Sequence, residues 1–203
     1  MCRPASFVIT RQGRGMLANW SKETSESHTD IIEKLGLREQ NVRGEYLFVR
    51  IEITPPNDDF MAPLDQWQFK VDQDVLPEWW DADAAERCVR KELPEWLAAK
   101  VVLPGQIRAA VCAQDYVVLV MGEIQDVWGS AVIKNVRDSA VIQNVGGSAV
   151  IKNVWDSAVI QNVRGSATII VRNQKAPASI NDYAVVILRD ADQPPTVVMA
   201  TQK

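Results

Sequence analysis

Between residues 127 and 171 apolar and polar positions recur with a period of nine. Aligned on valine, the half-repeats open at Val127, Val136, Val145, Val154 and Val163, and each of the first four reads V-x-[GD]-S-A-V-I-[KQ]-N. Two positions alternate in step, Gly129/Asp138/Gly147/Asp156/Gly165 and Lys134/Gln143/Lys152/Gln161, so the full unit is eighteen residues in two halves. Nine residues are too few for a pair of helices, but they suit one short β-strand and one corner. The pattern predicts a two-sided β-solenoid. Side chains alternate across a strand, so Ala131, Ile133, Ala140, Ile142, Ala149, Ile151, Ala158 and Ile160 are expected inside, with the valine that opens each half. Asn135, Asn144, Asn153 and Asn162 then stand near the corners, where amides one coil apart can bond to each other or to backbone.

The same alternation sends other residues outward. Val132 and Val150 with Lys134 and Lys152 form one stripe; Val141 and Val159 with Gln143 and Gln161 form the opposite one. Trp128 and Trp155 are separated by an odd number of half-coils, which puts one on each side. Flat β faces with exposed valine and tryptophan invite pairing with another surface. Like charges would meet if the lysine stripe faced itself, so the Val141/Val159 face is the expected site of self-association, with Gln143, Gln161, Trp128 and Trp155 as candidate contacts. Coverage by flanking segments of the same chain is the alternative.

Upstream the pattern changes to α+β, and residues 1–123 are read as one such domain, 124–172 as the solenoid and 173–203 as capping strands. Strands are predicted at 5–10, at 46–54 ("YLFVRIEIT", ended by Pro55-Pro56) and at 114–121. Ser27 with Asp30 suggests a capping box for a short helix that Gly36 ends. "DADAAERCVRKEL", from Asp81, reads as a helix with acids first and bases later, the order the helix dipole favours; Pro94 then kinks it or starts a new turn. "RQGRG" reads as a hairpin turn, and no Lys-Ser/Thr follows to make it a phosphate loop. "YAVVILR" and "TVVMA" are the two strands expected to finish or cover the last coil.

The repeat resembles runs of V-x-[GD]-S-A-x-I-x-x found in uncharacterised proteins of bacteriophages and bacteria. The match covers residues 127–171, and "SFVIT", "SHTDII" and "FKVDQDVLPEWW" have a weaker likeness to phage proteins. That resemblance implies a phage or mobile-element origin, a host protein as a partner, and inhibition of a host-defence or metabolic protein as one use. It brings no catalytic motif.

Charge and chemistry narrow this little. Residues 1–123 hold 14 basic and 20 acidic side chains, net −6, and residues 124–172 hold 5 and 3, net +2; no segment is basic enough to argue for nucleic acid. Cys2, Cys88 and Cys112 form no CxxC pair, and no apolar run approaches the roughly 20 residues that cross a bilayer, so a reducing cytoplasm is expected and no membrane. No cofactor is implied. His28, the sole histidine, lies beside Glu26 and Asp30, and with Arg11 or Arg50 it is the only handle for the alternative reading, an enzyme of unknown class with its site in residues 1–123. A solvated first-turn position is the commoner explanation of such a residue, and no Ser or Cys motif marks a partner nucleophile. From Asp72 to Glu95 acids are interleaved with Trp79, Trp80 and Trp96, which reads either as a patch for a basic partner or as a solvated helix face with tryptophan in the core. Asp81, Asp83 and Glu86 lack the spacing of a calcium loop, so no metal is expected. The leading expectation is a non-enzymatic binding or assembly protein that works as a homo-oligomer.

Overall fold

A computed structural model of the chain describes residues 5–40, 43–172, 177, 179–189 and 194–199; Cys2 lies outside this set. Two compact units divide between Ala99 and Lys100.

The first unit holds a four-stranded antiparallel sheet, order β2-β1-β3-β4. Its strands are β1 (Ser6–Gln12) and β2 (Gly15–Asn19), joined by the predicted hairpin with Gly13 at φ 60°, then β3 (Phe48–Thr54) and β4 (Gln68–Val71). Helix α1 (His28–Lys34) packs Ile31 onto Val8 and Phe48. Its predicted capping box is not formed. Ser27 makes no side-chain cap, and Asp30 instead accepts from Ser25 Oγ, five residues back, because Ser25 lies between that carboxylate and the Ser27 N–H. Gly36, at φ 62°, follows the helix as expected. Helix α2 (Ala82–Lys100) starts where Asp81 Oδ1 accepts from the Ala84 N–H at 2.9 Å, and it runs through Pro94 without a break. Ala85, Val89, Leu93 and Trp96 form its buried stripe at helical spacing.

The second unit is the predicted solenoid, and it is longer than the repeat. Its strands are β5 (Val101–Val102), β6 (Ile107–Val111), β7 (Tyr116–Val120), β8 (Glu123–Val127), β9 (Val132–Val136), β10 (Val141–Val145), β11 (Val150–Val154), β12 (Val159–Val163), β13 (Thr168–Arg172), β14 (Ser179–Ile180), β15 (Val185–Arg189) and β16 (Thr196–Met199). From β5 to β15 they alternate between a five-stranded sheet, β14-β12-β10-β8-β6, and a seven-stranded one, β16-β15-β13-β11-β9-β7-β5, to which β16 also belongs. All neighbours are parallel except β15 and β16, so β16 caps the stack while β14 and β15 extend it. The boundary expected at 123/124 therefore falls earlier. Coils before the repeat keep the stacking without keeping the motif: Tyr116 pairs with Val132 and Ile107 with Glu123, sixteen residues on, where the repeat advances eighteen, as from Val141 to Val159.

Inside, every layer repeats the one before. All eight alanines and isoleucines expected in the core are buried, and so are the five opening valines. Coil-to-coil bonding continues round the corners: the N–H groups of Gly146, Ser148 and Val150 donate to the carbonyls of Val127, Gly129 and Ala131. The Gly/Asp position is the reason the corner can turn. It takes φ of 54–71° at Gly129, Asp138, Gly147, Asp156 and Gly165, a left-handed conformation that glycine adopts without strain and aspartate tolerates. On the aspartate side the carboxylate adds a bond, since Asp156 Oδ2 accepts from the Asp138 N–H one coil earlier at 3.2 Å. The asparagines form the expected ladders. Asn153 Nδ2 donates to Asn135 Oδ1 and Lys134 O, and Asn162 Nδ2 donates to Asn144 Oδ1 and Gln143 O. Asp126 takes the first place in the second ladder, and Arg172 closes the other by donating to Asn153 Oδ1 at 2.7 Å.

Candidate interaction surface

The outer face of the five-stranded sheet carries the column Ile107, Glu123, Val141, Val159, one residue per coil by register. Val141 is half-buried, whereas Val159 is 47% exposed and Ile107 66% exposed. Two residues along each strand from β8 to β12 runs a parallel column of amides, Gln125, Gln143 and Gln161. Gln143 Nε2 donates to Glu123 Oε1 at 2.6 Å, which ties the face's one carboxylate to its amides. Valine and glutamine were expected here; Ile107 and Glu123 were not, because the first coils depart from the motif and only the sixteen-residue register brings them into the stripe.

The opposite sheet presents Tyr116, Val132, Val150 and Thr168 in the matching column. There the first coil is covered. Tyr116 is 8% exposed, with the Lys100 and Lys152 ammonium groups over its ring at 5.4 and 5.3 Å, and Val118 is buried. Lysine at this position thus folds back on an aromatic of its own face.

The two solenoid tryptophans occupy opposite sides as predicted, and each is partnered within the unit. Arg164 lies over the Trp128 ring at 4.3 Å, and a side chain at Gly146 would collide with that ring. Arg172 lies over Trp155 at 5.3 Å. Both rings serve as corner braces.

In the first unit His28 is buried, 4% exposed, in contrast to a solvated first-turn position. Its Nε2 bonds to Ile51 O at 2.9 Å, and Nδ1 lies 3.5 Å from Asp72 Oδ2. Because a backbone carbonyl only accepts, Nε2 carries a proton and donates. The Nε2 bond ties the start of α1 to β3, and the other ring nitrogen faces Asp72. The carboxylate beside it is Asp72, far along the chain, whereas Asp30 is exposed and does not reach the ring. Arg11 donates to Gly13 O within its own hairpin, and Arg50 donates to Glu39 and lies over Phe48, so neither joins His28. Trp79 and Trp80 are half-buried and pack edge to face, with Trp79 Nε1 donating to Tyr46 O at 3.2 Å. Trp96 is buried. Among the described residues no group of three or more His, Cys, Asp or Glu is placed to hold a metal ion. No helix among them is long and apolar enough to cross a membrane.

Comparison with protein-family models, curated proteins and solved structures finds no match.

Proposed function

We propose that this chain is a non-enzymatic assembly protein whose solenoid joins a second copy of itself through the Val141/Val159 face. The observation that carries the reading is a column with exposed Ile107 and Val159 at its ends, beside an amide column on a parallel sheet. Apolar area in this arrangement gains from leaving water. The chemistry of the rim selects the partner: glutamine carries both donors and an acceptor, so a column of it complements another copy of itself under a two-fold axis. Lysine, on the other sheet, does not.

The four five-residue strands β6, β8, β10 and β12, at about 4.8 Å spacing and about 3.3 Å rise per residue, cover roughly 300 Å² of face. That is small beside the roughly 800 Å² per partner of a standard interface. An interface of this size makes weak, exchanging association. Sedimentation at tens of micromolar is expected to give twice the chain mass, and the double variant Val141→Lys/Val159→Lys to give a folded monomer with an unchanged circular-dichroism spectrum. A parent that stays monomeric over that range, or a double variant that keeps the parent's mass, overturns the reading.

A further inference from the structure

Strand β6 ends the five-stranded sheet, with β8 on one side and, among the described residues, no strand on the other. Ile107, Ala109 and Ala110 along it are exposed. A terminal strand in a stack of like layers is a template for further pairing, and proteins blunt such edges with inward-pointing charges among other devices. The register of β6 places one there. Arg108 stands opposite Ile124, and Ile124 opposite Ile142 and Ile160 beyond it, so the first coil puts a guanidinium where later coils put isoleucine. The side chain is half-buried, and Arg108 Nη2 donates to Val101 O at 3.2 Å. Burial holds this guanidinium below its ordinary pKa, while the charge of Asp115 pulls the other way; a partly dehydrated cation sits at the mouth of the core.

We propose that Arg108 is an end stop, which keeps β6 from pairing with β6 of a second copy and so prevents copies of this chain from joining end to end. Antiparallel β6–β6 pairing is the arrangement a two-fold axis allows at this edge. It would bring two Arg108 guanidinium groups into one dry layer, where like charge and further desolvation oppose five residues of strand pairing. An apolar side chain would instead continue the isoleucine column across the junction. The stop acts on a sheet edge and is independent of the face assigned to self-association.

The test is particle mass by light scattering at tens of micromolar for Arg108→Leu, Arg108→Met and Arg108→Lys. Leu and Met, which remove the charge, are expected to at least double the mass relative to the parent, and Lys to leave it unchanged. The doubling should persist when Val141→Lys and Val159→Lys are added, because those positions lie on the face. Folded Leu and Met variants with the parent's mass overturn the stop. So does a Lys variant that doubles, or a gain that vanishes with the face variants. If the Leu variant does not fold, the Met variant decides; unfolding of both shows that Arg108 is needed to form the first coil, which also overturns the proposal.

Discussion

Ile142 and Ile151 occupy the same place in successive half-coils, one in each sheet, and both are fully buried. One residue earlier, Val141 and Val150 head outward on opposite faces, and there the two sheets part. The seven-stranded sheet buries the start of its outer column, where two lysine ammonium groups lie over Tyr116, while the five-stranded sheet leaves both ends of its own open to water. The nonapeptide makes one core. It leaves two faces to be assigned separately, by residues as few as Tyr116 on one side and Ile107 on the other.

That contrast is sharpest where the effects are largest. Ile142→Ala and Ile151→Ala should each cost about 2–5 kcal/mol, since both leave a cavity in a closed layer. Denaturant melts should rank them together, and a large gap between them would mean that the sheets differ inside as well as out. Ala149→Leu is the next test. Its neighbours one coil away, Ala131 and Ala167, are fully buried, so the added volume should cost about 1–3 kcal/mol. An unchanged melting temperature would show that the alanine column is not tightly stacked.

Smaller effects should begin to separate the faces. Asn153→Ala removes a half-buried amide whose Oδ1 also receives Arg172, and about 1 kcal/mol should be lost. Asn162→Ala takes away the same kind of ladder bond from an exposed site and should cost less, a difference that chemical denaturation can read. Least of all for stability is Val159→Lys, expected to lie within about 0.5 kcal/mol of the parent because the site is open to solvent. Its effect should appear in sedimentation as weakened association.

How much of this was legible depended on whether a signal repeats. In residues 127–171 a single reading of the inward face is tested again at each half-coil, and a slip of one residue would expose every alanine and isoleucine at once. The asparagine ladders and the corner residues follow from the same periodicity. The first unit offers no such redundancy. Asp72 lies beside His28 only because β4 lies next to β3, and the Ser25–Asp30 bond replaced a capping box that the local sequence favoured.

The sequence by itself determined the strand, the corner and the inward face of the repeat, because alternation within a strand and left-handed turns at glycine or aspartate are local requirements. Only the tertiary structure decided where the solenoid begins and which outer face stays open. Coils that break the motif, from Val101 to Val127, join by backbone pairing, and pairing is indifferent to side-chain identity. Exposure is decided by what lies across from a residue in space, and for Ile107, Arg108 and Tyr116 those neighbours are set by register with strands sixteen residues on.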